Sequence, residues 1–341
     1  MEQKIIDAIQ NQKKYFKNAD GSFKTNEEGE KVEKPPLKMN TIKTYISNLK
    51  KIDDNIEDLS WTDKFPAVVD KLQKMKLKHT TQKNYLNSLI VIMEALQLYP
   101  DTRKKYIALR DKFNKEYEKE NETGIISDKQ APNFVTREAF DKMVEQVRKE
   151  VVFKKLKQVT NPTLDERNLF QLFVILQMYR VLPVRNELAT LQKISKSDYD
   201  KLSDEDKLKA NYLIIGSKNK MSLSLGEYKT AKKYGVKEIE MPVVAKRLLT
   251  IWFNRYNREN NHVFIQKKNE PLSKNNLTKM LTRASEKYMD GKKISTTMIR
   301  KIYLSDKYAD KNEEQKKDSD KMGHSIETQN KVYIKKPQTE V

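Results

Sequence analysis

The sequence predicts a mainly helical, two-domain α+β protein with a small three-stranded antiparallel sheet. Glycine and proline are scarce, at 8 and 10 of 341 residues, which favours long helices over a loop-rich β fold. Apolar residues recur at helical spacing along most of the chain, and only residues 211–242 show the short apolar runs and alternation typical of strands. A chain of this length can build two ordinary hydrophobic cores.

The composition also indicates what kind of partner the protein binds. There are 68 Lys and Arg against 48 Asp and Glu, a formal net charge of +20. This surplus exceeds what solubility requires and favours a polyanionic partner such as nucleic acid. There is no cysteine, which excludes disulfides and thiolate zinc sites, and the 3 histidines are too dispersed to predict a metal site.

No targeting or membrane segment is expected. The first residues mix charges too freely for a signal peptide. The longest apolar run, Leu89 to Met93, is too short to span a bilayer. We therefore expect a soluble intracellular protein that is not secreted and does not associate with membranes.

The first part of the chain is predicted to be an N-terminal arm, residues 1–38, followed by a helical domain, residues 39–122. Apolar residues at helical spacing predict four amphipathic helices within that domain. Lysines lie on their polar faces, and Lys43 and Lys83 are candidate contacts to DNA phosphates. Any one of these lysines alone would more simply be solvated.

A linker, residues 123–135, is predicted from helix-weak residues, and a second domain, residues 136–341, follows it. Thr136 is expected to cap the first helix of this domain. Residues 168–179 are nearly all apolar and predict a buried core helix that ends before Pro183.

The rest of the second domain is predicted as strands and then helices. Three antiparallel strands are expected at 212–215, 223–225 and 236–240, with Lys229 near the second turn. The stretch 262–264 should be extended. Further helices are expected at 243–256 and 273–288, and the segments 295–308 and 318–333 complete the domain.

Four short motifs follow one another in this second domain. In chain order they are Val184-Arg185-Asn186-Glu187-Leu188, Tyr228-Lys229-Thr230, Thr297-Met298-Ile299-Arg300, and Gly323-His324 followed, nine residues after the histidine, by Tyr333. The set resembles the signature of tyrosine recombinases, the phage-integrase family: a first-arginine box, a β-hairpin lysine, a His-x-x-Arg box, a Gly-His pair and a nucleophilic tyrosine. The helical first domain is similar in size and pattern to the family's core-binding domain.

The resemblance implies a role for each residue. Arg185 and Arg300 would clamp the scissile phosphate, because planar guanidinium groups bind its oxygens bidentately. Tyr333 would attack the phosphorus and form a 3′-phosphotyrosyl link. Lys229 would protonate the departing 5′-oxygen, and His324 would hydrogen-bond the phosphate or assist proton transfer. No metal and no cofactor are implied.

One position departs from the family pattern. Thr297 stands where the family commonly has histidine. Its hydroxyl is a candidate phosphate contact, but it is a poor base at neutral pH. A phenol with a pKa near 10 needs its proton removed to react at pH 7. The base that deprotonates Tyr333 is therefore left open: His324, another base or water takes the proton, or turnover is slow.

Neighbouring residues of the same types are alternatives to the predicted ones. They are Arg180 for Arg185, Lys232 and Lys233 for Lys229, and Tyr303 and Tyr308 for Tyr333. The Glu-Leu pair after Arg185 and the Gly-His spacing before Tyr333 favour the predicted residues.

The resemblance implies a site-specific recombinase or integrase that acts on double-stranded DNA. It would be a monomer or dimer when free and a homotetramer on two recombination sites. A type IB topoisomerase, a telomere resolvase and a catalytically silent DNA-binding protein are the alternatives, and the departure at Thr297 admits the last of these. By analogy, the expected source is a mobile element or a virus, such as a virophage, which would place the protein in the host cytoplasm or nucleus.

Overall fold

Two compact units make up the chain, Met1–Ile125 and Ile126–Val341, and each has its own hydrophobic core. The computed structural model describes residues 1–18, 20–26, 28–122, 126, 130–321 and 326. None of the helices in these ranges is long and apolar enough to cross a membrane.

The first unit is built from helices. The described residues of this unit form five α-helices: α1 (Glu2–Asn11), α2 (Met39–Ile52), α3 (Phe65–Lys74), α4 (His79–Ala95) and α5 (Pro100–Glu122). Helix α1 falls within the stretch 1–38, and it buries Ile5 and Ile9 in the core of this unit. Before α2 begins, isolated antiparallel bridges pair Tyr15 with Glu33, Lys17 with Phe23, and Thr25 with Lys31.

The second unit is mainly helical. Its α-helices are α6 (Arg137–Phe153), α7 (Leu164–Tyr179), α8 (Lys196–Asp200), α9 (Asp204–Lys207), α10 (Ala231–Tyr234), α11 (Val243–Arg255), α12 (Lys274–Tyr288) and α13 (Thr296–Lys321). The predicted cap of α6 is confirmed, because Thr136 Oγ1 accepts a hydrogen bond from the Ala139 amide at 3.2 Å. The predicted core helix is α7, whose residues 170–176 are all buried.

The sheet of the second unit has four strands, β1 (Leu191–Ser195), β2 (Asn211–Ile215), β3 (Met221–Leu225) and β4 (Lys237–Glu240), in the order β1-β2-β3-β4. Strand β1 is parallel to β2, whereas the β2–β3 and β3–β4 pairs are antiparallel. The prediction of three antiparallel strands was therefore wrong. Strand β1 has only two apolar residues, Leu191 and Ile194, too few to show a strand pattern.

The ends of the strands place two chain segments at one edge of the sheet. Asn211, the first residue of β2, lies opposite Leu191, the first residue of β1, and opposite Leu225, the last residue of β3. The short 3-10 helix Asn186–Thr190 therefore enters β1 at the edge where the chain leaves β3 towards Lys229.

Helix α13 is longer than predicted. It runs without a break from Thr296 to Lys321, whereas separate segments were expected at 295–308 and 318–333. The intervening residues have no apolar face, but they include an i,i+4 ion pair between Glu313 and Lys317 at 2.8 Å. Beyond Lys321, the predicted segment 318–333 lies outside the described residues, apart from residue 326.

Candidate active site

Two hydrogen bonds tie the first turns of α13 to the segment that carries Arg185. The Nε of Arg300 donates to the backbone oxygen of Pro183 at 2.9 Å. The hydroxyl of Thr296 donates to Asn186 Oδ1 at 2.8 Å. Since Pro183 and Asn186 flank Arg185, these bonds bring the two arginines together, although they are far apart in the sequence.

The backbone of Arg185 is held while its side chain stays accessible. The fully buried Tyr179 donates its hydroxyl to the Arg185 carbonyl oxygen at 2.5 Å. Burial, together with the nearby Glu187, raises the pKa of Tyr179 well above its usual value, so the phenol stays protonated and can donate. The Arg185 side chain is exposed and has no hydrogen bond or ion pair within the described ranges.

The electrostatics of the site favour an anion. Burial and the positive charge of Arg185 lower the pKa of Arg300, and Glu187 opposes this shift. Glu187 is buried, and its Oε2 has no hydrogen-bond partner in the part of the chain that the structure describes. Glu187 only partly offsets the mutual repulsion of the two guanidinium groups at Arg300, which leaves a positive field suited to a phosphodiester.

Thr297 lies on the same face of α13 as Arg300, because the two are three residues apart in a helix. Its side chain is exposed. The N-terminal end of α13, which carries a partial positive charge, lies at this position. Thr297 is therefore placed to donate a hydrogen bond to an anion held by Arg300.

Lys229 lies on the connection between β3 and β4, one residue before Thr230, the N-cap of α10. Its side chain is exposed, and no hydrogen bond or ion pair links it to either arginine among the described residues. Of the alternatives, Lys233 has its Nζ 5.0 Å from the ring centroid of Tyr234, and the side chain of Lys232 lies outside the described part. The structure therefore does not bring Lys229 into contact with the arginine pair.

The start of the Lys229 connection is fixed by close backbone packing. The Gly226 amide donates to the Ala210 carbonyl oxygen at 3.2 Å. A Cβ at Gly226 would lie 1.8 Å from the Lys207 carbonyl oxygen and 2.8 Å from the Leu208 Cα. Only glycine allows this approach, so the connection leaves the sheet at a defined position.

The Gly226→Ala substitution should destabilise the second unit by about 1–3 kcal/mol, because the backbone has to move to admit the methyl group. Thermal unfolding would show this as a melting temperature several degrees lower. Gly216→Ala is the matched control at the other edge of the sheet, since its Cβ would meet ordinary contacts at 3.6 Å. Equal melting temperatures for the two variants would contradict the packing argument.

The alternatives to the predicted arginine and tyrosine are engaged elsewhere. Arg180 donates from Nε to Asp141 Oδ1 at 2.9 Å, and its carbonyl oxygen accepts from Arg137 at 2.6 Å. The ring of Tyr303 faces the Arg137 guanidinium, whose Cζ is 5.7 Å from the ring centroid, and the ring of Tyr308 faces Lys307 Nζ at 5.2 Å. These contacts favour Arg185 over Arg180 as the phosphate ligand.

Of the remaining predicted residues, two lie beyond the part of the chain that the structure describes and two belong to the first unit. His324 and Tyr333 lie outside the described residues. In the first unit, Lys43 is exposed on α2. Lys83 is half-buried, hydrogen-bonds Asn114 and has its Nζ 5.5 Å from the ring centroid of Tyr117.

The arginine pair lies outside a cavity between α7 and α12. This cavity has a volume of about 630 Å³, and none of the predicted site residues lines it. Within the described residues, no group of three or more His, Cys, Asp or Glu side chains could hold a metal ion.

Comparison with known proteins gives structural matches only. No family model and no curated protein matches the chain. It is similar to the crystal structure of XerA recombinase, with 12% identity and a TM-score of 0.33 over 86% of each chain.

Two XerH site-specific recombinase structures are also similar, each with 14% identity. The post-cleavage complex bound to palindromic difH substrate gives a TM-score of 0.41 over 84% of this chain and 72% of that chain. The pre-cleavage complex bound to difH substrate gives 0.33 over 88% and 86%.

Proposed function

We propose that the protein is a site-specific DNA recombinase that breaks and rejoins strands through a 3′-phosphotyrosyl intermediate. The observation that carries the proposal is the arginine pair. Arg185 and Arg300 come from separate elements, and hydrogen bonds hold the segments that carry them together. The single negative charge of Glu187 does not neutralise both arginines. The spacing of His324 and Tyr333 in the sequence indicates that Tyr333 is the nucleophile.

In the proposed reaction, the Tyr333 oxygen attacks the phosphorus and the phenol loses its proton. The bond from phosphorus to the 5′-oxygen breaks, and its electron pair stays on that oxygen, which takes a proton from Lys229 Nζ. Arg185 and Arg300 bind the non-bridging oxygens, where negative charge increases in the transition state. Each such donor contributes roughly 3–4 kcal/mol by analogy with oxyanion holes. Religation reverses these steps, so no ATP is consumed.

Thr297 is not the base that deprotonates Tyr333. Thr297 donates a hydrogen bond to a non-bridging oxygen and does not take the phenolic proton at neutral pH. The proton of Tyr333 passes to His324, to another base or to water. A slow cleavage step is expected.

Duplex DNA is the proposed substrate, bound by a homotetramer on two sites. The net charge of +20 supplies most of the affinity through phosphate contacts, with Lys43 and Lys83 among them. Binding should therefore weaken steeply as salt is raised.

The proposed function is tested with a pool of labelled duplexes of random sequence, each nicked so that cleavage near the nick releases a short fragment and prevents religation. The wild-type protein should leave labelled DNA covalently attached on a denaturing gel. The Tyr333→Phe variant should bind the same pool and leave none, because it lacks the nucleophilic oxygen.

A second function is favoured by Thr297, that of a DNA-binding protein without catalysis. It predicts duplex binding by both proteins and no adduct from either, which would overturn the recombinase proposal. Adducts from both proteins would exclude Tyr333 as the nucleophile.

A further inference from the structure

Asn211 lies between the two segments that carry the proposed phosphate clamp and the proposed leaving-group acid. It is the first residue of β2 and is fully buried. Its strand neighbours are Leu191, which follows the Arg185 segment, and Leu225, which precedes the Lys229 segment. A polar side chain at such a position requires hydrogen-bond partners.

The Asn211 side chain binds both segments. Its Nδ2 donates to Thr190 Oγ1 at 3.0 Å and to the Glu227 carbonyl oxygen at 3.1 Å. Its Oδ1 accepts from the Glu227 amide at 3.0 Å. Thr190 ends the 3-10 helix that begins directly after Arg185, and Glu227 is two residues before Lys229.

Only an asparagine-like side chain makes this set of bonds. Two donor hydrogens and an acceptor oxygen are needed on one planar group of this length. Aspartate has no donor for Thr190 or for the Glu227 carbonyl, and an apolar residue would leave the Glu227 amide and carbonyl without these partners. Because the site is buried, the bonds are stronger than at the surface and an unmet group is costly.

We infer that Asn211 is a positioning residue that sets where Lys229 stands relative to the phosphate held by Arg185 and Arg300. The inference rests on the proposed function. Lys229 has to lie within hydrogen-bond reach of the departing 5′-oxygen to protonate it. A displacement of about 1 Å in a reacting group can cost about 10²-fold in rate.

The inference is tested by changing the leaving group. Two nicked duplexes are compared, drawn from the sequences that the wild-type protein cleaves, with either the normal 5′-oxygen or a 5′-bridging sulfur at the scissile phosphate. A thiol has a pKa of about 8.5, so the 5′-sulfur leaves as a thiolate without a general acid. The 5′-oxygen would leave as an alkoxide and needs a proton. Loss of Lys229, or its misplacement, should therefore slow cleavage of the oxygen substrate only.

Asn211→Ala should cleave the oxygen substrate about 10²-fold more slowly than the wild type and the sulfur substrate within about threefold of it. Lys229→Ala should show the same selective loss. Thr190→Val removes the Asn211 bond on the Arg185 side, together with the longer bond that the Thr190 hydroxyl donates to the Glu187 carbonyl oxygen at 3.4 Å, and keeps both Asn211 bonds to Glu227. It should give a smaller loss with the same selectivity. Thr190→Val tests the inference if Asn211→Ala does not fold.

Ser224→Ala is the matched control, because Ser224 is equally buried in the same sheet and bonds Tyr199 at 2.7 Å and neither segment. Ser224→Ala should change the cleavage rates of the two substrates by the same factor. Equal slowing of both substrates by Asn211→Ala and Thr190→Val, or no slowing, would overturn the inference and leave the proposed function intact. If the wild-type protein forms no adduct with any duplex of the random-sequence pool, both the inference and the proposed function are overturned.

Discussion

Replacing Arg185 or Arg300 with alanine is expected to slow strand cleavage by about 10²–10³-fold in each case. Each guanidinium group stabilises charge that develops on the phosphate oxygens in the transition state, while duplex affinity comes mostly from other phosphate contacts. Single-turnover cleavage of a nicked duplex measures the effect, and a binding assay on the same duplex shows whether affinity has changed. Lysine at either position should restore only part of the rate, because it cannot bind bidentately.

Stability measurements separate this catalytic effect from misfolding. The exposed Arg185 side chain has no hydrogen bond or ion pair within the described ranges, so Arg185→Ala should change the free energy of unfolding by less than about 0.5 kcal/mol. Arg180→Ala is the control, since it breaks an ion pair with Asp141 and should leave the cleavage rate unchanged. A normal rate in Arg185→Ala, or an equal loss in Arg180→Ala, would contradict the assignment of the clamp.

The Thr297→His substitution is expected to raise the cleavage rate, by about 10²-fold at the lower end of what a positioned general base contributes. The position shares a helix face with Arg300 and is exposed, so the imidazole can reach the phosphate site. Histidine acts as a base only when neutral. With a pKa of about 6.5, the gain should be full above about pH 7.5 and lost below about pH 5.5.

A pH–rate profile of single-turnover cleavage checks this gain. Thr297→Val, which removes the hydroxyl without adding a base, should be slower than the wild type and should not acquire the titration near neutral pH. If the histidine variant is no faster and its profile matches that of the wild type, Thr297 does not occupy the position of the base.

Local patterns in the sequence predicted several elements well. The cap at Thr136 and the buried helix α7 follow from residue types and spacing within one turn or one helix. The two arginine boxes were also recognised from short stretches of sequence. That Arg300 would bind Pro183, and Thr296 would bind Asn186, depends on tertiary packing that no local pattern encodes.

Other features could not be predicted because their cause lies in distant parts of the chain. Strand β1 has a charged centre, Lys193, whose Nζ reaches the Asn257 carbonyl oxygen at 3.2 Å and lies 4.9 Å from the Phe253 ring centroid. Phe253 lies in α11, and Asn257 follows shortly after the end of that helix. Because these distant residues hold the Lys193 side chain, β1 forms without a regular alternation of apolar and polar residues. Asn211 gave only a weak signal, an amide at the start of an apolar strand.

The most direct test of the central claim is to identify the residue that carries the DNA. Adduct from the nicked duplex is digested with trypsin and nuclease, and the modified peptide is sequenced by mass spectrometry. We predict that a nucleotide 3′-phosphate is attached to Tyr333 in the peptide Val332–Lys335. Attachment to Tyr303 or Tyr308, or to no tyrosine, would contradict the proposed mechanism.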